Sequence, residues 1–383
     1  MQTSSNIKIM KIGIDAREIQ DGVVTGIGRS LANFVRYFAK SDTGHQLVLF
    51  SERTIQCDVP DTVKKVIIPS CPTIIWDQWK LPHALRVERI DLFYSPYYKV
   101  PLKTHVPVVS QVLDLMFLVF PPYKKAIGFP GRGYYAVFGK AYARKSISII
   151  TDSRHAKSDI VRLWHVKENK IEVIPLGIAE RYIPVKVEKI LTETRNSLHL
   201  PAKFILYLGN FKPHKNVETL VKAYKKINMQ FPEHKLVLAG PMDAHGNRVR
   251  SFVEKENLLD QIVFTGTIRE KDRPEALLSM ADIFVFPSFY EGFGLPPLEA
   301  MACGVPVIAS NATSIPEVVE DAGILFNPDN VDELSNAMVR LLTDLPMKSL
   351  LIAKGLERAK LFREEITAGA ICKHLLSVLG DES

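Results

Sequence analysis

The chain of 383 residues holds 46% hydrophobic and 24% charged side chains and a formal net charge of +7, the make-up of a globular protein long enough for two domains. Its four cysteines (Cys57, Cys71, Cys303 and Cys372) have no C-x-x-C spacing, which excludes a zinc ribbon and a disulfide framework and suits buried thiols in a reducing compartment. The most apolar stretch, residues 106–120, contains Gln111 and Asp114 and is too short to span a bilayer as a helix.

Taken in chain order, residues 1–10 are polar and hold no secretory leader. Strand-like runs follow at 11–15, 46–50, 65–68, 92–94, 107–112, 148–151 and 172–174, with helical patterns at 28–39, 134–144 and 154–163. The segment Pro175-Leu-Gly-Ile-Ala-Glu-Arg-Tyr-Ile-Pro184 and the polar residues up to His199 break this alternation, which sets a boundary between domains 1–180 and 181–363. Beyond it, strands are expected at 204–208, 235–239, 262–265, 283–286, 305–309 and 323–326, separated by helices such as 217–227 and 270–280. A terminal helix occupies 364–379 of the last segment, 364–383. Such alternation predicts two doubly wound, Rossmann-like α/β domains whose ligands bind beyond the carboxyl ends of parallel strands.

Charge is uneven. Residues 1–180 carry 25 Lys and Arg against 16 Asp and Glu, a surplus of nine, while the remainder carries 24 against 26. A basic N-terminal domain suits an anionic lipid or phosphorylated partner. The basic residues are scattered and no RRM, KH or zinc-finger pattern accompanies them, so nucleic acid is not an expected partner. The chain reads as cytoplasmic and at most peripheral at the inner face of a membrane.

The motifs sit at strand ends. Glu291-Gly-Phe-Gly-Leu-Pro-Pro-Leu-Glu299 follows the strand at 283–286 and opens a helix near Leu295. Gly292 and Gly294 allow close backbone approach, and the helix start aims free N–H groups at an anion. Two carboxylates bracketing an anion site suit a sugar nucleotide, whereas the plain alternative is a surface Glu and a helix-start Glu favoured by the dipole. Tyr207-Leu-Gly-Asn-Phe-Lys-Pro-His-Lys-Asn-Val-Glu218 brings Lys215 to another helix start, where it would neutralise a diphosphate. Thr25-Gly-Ile-Gly28 opens the first helix, with amides of Gly26, Ile27 and Gly28 at its head. Gly240-Pro-Met242 and Gly266-Thr-Ile-Arg269 end two further strands. No D-x-D pair appears, so no dedicated carboxylate pair for Mg²⁺ or Mn²⁺ is indicated and no metal is expected. Aromatics beside basic residues (Trp76 to Lys80, Tyr94 to Lys99, Phe129 to Tyr135) suit stacking on a sugar ring beside a bound phosphate, with core packing expected to account for at least half of them.

The segment from Phe286 through Glu291 and Glu299 to Val307 closely resembles the E-x7-E signature of family 4 glycosyltransferases, retaining enzymes of the GT-B fold. The resemblance covers nearly the whole chain, strongest over 209–328 and looser over 50–105. It implies two domains facing a central cleft, with the last helix returning to the N-terminal, acceptor-side domain. Lys215 corresponds to the phosphate-contacting lysine of a G-x5-K-[GN] element that begins at Gly209. Many relatives carry arginine where this chain has Asn210, a loss that Lys212 or His214 would offset. By the same resemblance Glu291 contacts hydroxyls of the transferred sugar, and amides of Phe293, Gly294 and Leu295 lie near sugar and phosphate. Glu299 accepts both ribose hydroxyls, the Gly26–Gly28 loop borders the donor, and Gly240 and Ile268 frame the nucleotide. Leu113 stands where the family has a sugar-contacting histidine, so Asp114 or a backbone carbonyl takes that task. The implied activity is metal-independent transfer of a hexose, from UDP-glucose first and GDP-mannose second, to a glycan or lipid-linked oligosaccharide in polysaccharide biosynthesis. A sugar-nucleotide epimerase on the same fold, and a non-catalytic sugar-nucleotide-binding protein suggested by Leu113 and Asn210, are the alternatives.

Overall fold

The computed structural model describes residues 9–19, 26–55, 59–60, 62–126 and 128–380, and the side chains of all of these except 124–136. Thr25, Cys57 and the side chains of Phe129, Tyr134 and Tyr135 therefore lie outside the described residues. The chain forms two compact units, Met1–Gly177 with Glu364–Ser383, and Ile178–Arg363. The boundary expected at 180/181 falls three residues earlier because the Ile178 N–H already donates to Phe362 O at 2.9 Å within the second unit.

In the first unit, β1 (Lys11–Asp15), β2 (Gln46–Ser51), β3 (Lys64–Ile67), β4 (Leu92–Ser95), β5 (Val108–Gln111), β6 (Ser148–Thr151) and β7 (Ile171–Val173) form one sheet in the order β3-β2-β1-β4-β5-β6-β7. Every pairing is parallel, and the central strands are buried on both faces, as parallel sheets require. Helix Gly26–Lys40 buries Leu31, Phe34, Val35 and Phe38, the spacing of one apolar stripe. The terminal helix Glu364–Leu379 belongs to this unit. Its Ala368, Ile371 and Leu375 share a core with Leu31 and Phe34, Glu364 lies 3.4 Å from Arg29, and the Thr367 hydroxyl donates to Pro175 O at 2.8 Å.

In the second unit, β8 (Lys203–Leu208), β9 (His234–Ala239), β10 (Ile262–Gly266), β11 (Ile283–Phe286), β12 (Val307–Ser310) and β13 (Gly323–Phe326) form an all-parallel sheet in the order β10-β9-β8-β11-β12-β13. Helix Val217–Ile227 covers it as expected. The helix expected at 270–280 is instead a 3-10 turn, Glu270–Asp272, and a short helix, Pro274–Ser279. Pro274 disfavours the right-handed helical region at the residue before it, and Arg273 sits there at φ 54°. The polar stretch before His199, read as boundary, contains the helix Glu188–Ser197.

Both sheets reverse strand order once, at β1/β4 and at β8/β11. Crevices beyond the carboxyl ends of strands at such reversals are where open α/β sheets take ligands. No helix of the described residues is long and apolar enough to cross a membrane.

Candidate active site

At the reversal point of the second sheet, two loops are drawn together by named contacts. Leaving β8, the chain passes Gly209 and is pinned by Tyr207, a buried residue whose hydroxyl donates to Asn210 O at 2.5 Å. Phe211 turns back into the core and stacks on the Tyr207 ring, centroids 5.9 Å apart. The 3-10 turn Pro213–Lys215 follows and ends at Asn216, which adopts the left-handed conformation (φ 55°, ψ 36°) that asparagine tolerates better than most residues. The Asn216 side-chain amide donates to Pro287 O at 3.1 Å and Pro328 O at 2.8 Å, and the Phe289 N–H donates to His214 O at 2.7 Å. These bonds fix the loop after β8 against the loop after β11. Lys215 Nζ consequently lies 2.6 Å from Glu291 Oε1, with side chains only 11% and 13% exposed, and 5.1 Å from the Phe286 ring centroid.

The loop after β12 holds the Glu291 segment from its other side. Thr313 Oγ1 accepts the Glu291 N–H at 3.0 Å. Ser314 Oγ lies 3.0 Å from Glu291 O and 2.7 Å from Phe293 O. Gly294 then takes φ 120°, a region open essentially to glycine, and starts helix Leu295–Ala302. Glu299, the fifth residue of that helix, is 8% exposed. Gly240 ends β9 against Gly209, with its N–H donated to Gly266 O at 2.9 Å. Ile268 stands half-buried beyond β10. The residues singled out beyond β10, β9, β8 and β11 thus follow four adjacent strand ends, a line of about 14 Å at roughly 4.8 Å per strand. Asn210 is half-buried and its Oδ1 accepts the Lys212 N–H at 3.2 Å, while the Lys212 side chain is exposed.

The remaining sequence candidates lie in the first unit. Gly26, Ile27 and Gly28 form the start of helix Gly26–Lys40, two residues earlier than expected. Asp114 Oδ1 accepts the Met116 N–H at 2.9 Å, so this carboxylate braces its own loop. A pocket of about 460 Å³ opens at the β1/β4 reversal, lined by Asp15, Arg17, Glu18, Arg53, Tyr97 and Lys99 among others. Arg17 is fixed there by Asp15 at 2.6 Å and Asp77 at 2.8 Å, and its guanidinium lies 3.8 Å from the Trp76 ring. Two of the aromatics in the segments singled out are core residues, within the share expected to be. Trp76 is fully buried, and Tyr94 is buried with its hydroxyl donated to Gln111 at 2.8 Å.

Two family profiles match this chain. One, described as Glycosyltransferase Family 4, spans residues 24–181, and the other, described as Glycosyl transferases group 1, spans residues 192–358. The chain belongs to the family 4 glycosyltransferases. Among relatives of this glycosyltransferase, O-antigen chain mannosyltransferase B of Escherichia coli is 29% identical over 363 residues, covering 89% of this chain and 93% of the relative. The serotype-specific mannosyltransferase WbdA of the same organism is 30% identical over 278 residues, 71% of this chain but only 33% of WbdA. Among solved structures, the sucrose-phosphate synthase of Thermosynechococcus elongatus superposes with a TM-score of 0.77 at 24% identity, over 97% of this chain and 99% of that one. This likeness shows the GT-B fold.

Several residues that shape the glycosyltransferase site had no motif to announce them. Thr313 and Ser314 act through contacts with the Glu291 segment, which is distant in sequence, whereas Tyr207 and Phe211 brace the turn they themselves belong to. Asn216 had a local signal, since a lysine followed by Gly or Asn marks the left-handed turn now seen. His214 is buried beside Lys215, and that burial, reinforced by Lys215, Lys212 and His245, lowers its imidazole to about 3. Its folded value lies below its unfolded one, so the neutral ring contributes stability that is present above about pH 6.5 and lost as pH falls toward 3. Thermal melts from pH 7.5 to 4.5 should show a falling midpoint whose slope is reduced in His214→Gln. An unchanged slope would place the acid sensitivity elsewhere.

Proposed function

We propose that this glycosyltransferase is a retaining, metal-independent mannosyltransferase. It moves mannose from a nucleotide diphosphate mannose to a glycan or lipid-linked oligosaccharide in polysaccharide biosynthesis. The observation that carries this reading is the Lys215–Glu291 pair, 2.6 Å apart at the reversal point of the second sheet. The names of the relatives favour mannose, so GDP-mannose moves ahead of UDP-glucose, which the sequence resemblance put first.

An extended donor matches the 14 Å line of strand ends, with the base at Ile268 and the sugar at Glu291. Gly240 and Gly209 let the pyrophosphate pass close to the backbone. Lys215 and the N–H groups of Phe293, Gly294 and Leu295 take up the charge of the departing diphosphate. Glu291 accepts a sugar hydroxyl and Glu299 the ribose hydroxyls. Gly26, Ile27, Gly28 and Asp114 of the first unit keep the donor-side roles that the family resemblance gives them, and Asp114 Oδ1 accepts the Met116 N–H at 2.9 Å. The acceptor enters the pocket around Arg17. The bond from the sugar C1 to the phosphate oxygen breaks while the acceptor oxygen bonds C1 on the same face. The acceptor proton passes to the departing phosphate oxygen.

The test is a panel of GDP-, UDP-, ADP- and TDP-sugars in EDTA, comparing the wild type with Glu299→Ala. Slow release of mannose from GDP-mannose, with donor affinity at least tenfold weaker in the variant, is the expected result; charge-assisted hydrogen bonds are worth about 1.5–3 kcal/mol each. Turnover that returns only with Mn²⁺ would overturn the metal-free step. Preference for UDP-glucose would replace the sugar assignment, and absence of nucleotide binding would remove the donor site from this unit.

A further inference from the structure

The turn that carries Arg17's partners has an unusual outer face. Over Trp76–Lys80 the helix is a π-turn in which the Leu81 N–H reaches back five residues to Trp76 O. The wide turn lets both Trp76 and Asp77 point inward, one beneath the Arg17 guanidinium and the other bonded to it. Its outer face then carries Ile74 (60% exposed), Ile75 (41%) and Trp79 (54%). Trp76 Nε1 donates to Ile68 O at 3.3 Å, and Lys80 Nζ donates to Pro69 O at 3.4 Å. This face therefore adjoins the end of β3, where Ile67 is 52% exposed. Single exposed apolar residues are ordinary, but a cluster of them marks an interaction surface.

Charge identifies the occupant. Residues 64–106 hold seven Lys and Arg against Asp77, Glu88 and Asp91. All three carboxylates are engaged, by Arg17 at 2.8 Å, by Lys64 at 2.5 Å and by the Lys11 N–H at 2.8 Å. Lys103 Nζ stands 5.1 Å from the Trp79 ring centroid. A tryptophan with adjacent isoleucines and a lysine over its ring has the amphipathic build that settles at the headgroup level of a bilayer. Basic residues near an anionic leaflet each add roughly fivefold to partitioning.

We infer that Ile74, Ile75 and Trp79 form an interfacial anchor that inserts into the headgroup layer of an anionic lipid bilayer, with Lys80 and Lys103 on its phosphates. Thr73, the residue before Ile74, lines the pocket around Arg17. The anchor thus sets the mouth of that pocket beside the lipid surface, where an acceptor with a lipid tail would present its polar head. The use made of the anchor rests on the lipid-linked acceptor of the proposed function, whereas the anchor itself stands on this surface alone.

Tryptophan emission tests it directly. The chain has three tryptophans, and Trp76 and Trp164 are 0% and 1% exposed, so Trp79 dominates quenching by acrylamide. With vesicles of phosphatidylglycerol and phosphatidylethanolamine, the full-length protein should co-sediment, its emission should shift to the blue and quenching should fall. Ile74→Ser/Ile75→Ser/Trp79→Ala should lose at least tenfold in vesicle partitioning while keeping wild-type nucleotide-sugar binding. Met229→Ser, at a more exposed apolar residue of the other unit (88%), should change neither. Three results would overturn the anchor: no binding to anionic vesicles, salt-sensitive binding without a blue shift, or a homodimer in sedimentation that Trp79→Ala dissolves. Loss of nucleotide-sugar binding in the wild type would instead count against the donor site.

Discussion

Replacing Lys215 with Met should lower kcat by about 10²–10³, the usual consequence of removing a donor aimed at charge that develops during reaction. Lys215 is nearly buried and bonded to Glu291, so the variant also leaves that carboxylate without its cation, and some stability should be lost with the activity. Glu291→Gln in the same chain separates the two effects. If Lys215 serves the departing diphosphate, the double variant should recover stability without recovering kcat. If the lysine merely neutralises Glu291, the double variant should regain stability and reach the kcat of Glu291→Gln alone. A folded Lys215→Met protein with wild-type kcat would end its assignment to the leaving group.

Gly240→Ala should be the most damaging single methyl in the second unit. A Cβ there would lie 2.0 Å from Gly209 O and 3.0 Å from the Phe211 ring, and the first contact is with backbone that cannot rotate away. Overpacking of this kind costs about 3 kcal/mol or more, which for a unit of this size lowers the melting midpoint by roughly 6–12 °C. Donor affinity should fall with it, because the displaced atoms belong to the loop that leads to Lys215. Gly26→Ala, where the added Cβ meets nothing within 4 Å, is the matching control and should melt like the wild type. An equally unperturbed Gly240→Ala would mean that the two strand ends yield without cost.

The strands were legible because buried parallel strands read as short apolar runs. Ser148–Thr151, Ile283–Phe286 and Gly323–Phe326 coincide with expectation to the residue. Helix Glu188–Ser197 escaped notice because Ile190 and Leu191 are its only apolar residues and Thr194 alone is buried, so no apolar stripe announces it. At the site, Glu291, Glu299, Lys215 and Gly294 were visible because each belongs to a local pattern tied to a strand end. Ser314 was not, since its hydroxyl acts on carbonyls brought near only by the fold, and Tyr207 was not, since its bond to Asn210 O depends on how its own turn is shaped. Trp76 and Trp79 sit three residues apart and read alike in sequence, yet the π-turn buries one and exposes the other. Core packing was expected for at least half of such aromatics, and the π-turn decides which of these two it claims.

The strand order of the second sheet has a bearing on how such enzymes diversify. β10 is an edge strand, paired on one side only with β9, whereas Glu291 follows β11, flanked by β8 and β12. In the proposed donor pose the base-facing loop therefore hangs from the margin of the sheet and the transfer chemistry from its middle. Mutational drift in the loop after Gly266 meets few packing constraints. Drift near Lys215 or Glu291 must satisfy Asn216, Phe289, Thr313 and Ser314 at once. Nucleotide preference is the trait such a scaffold lets vary, while the bond-breaking end stays locked.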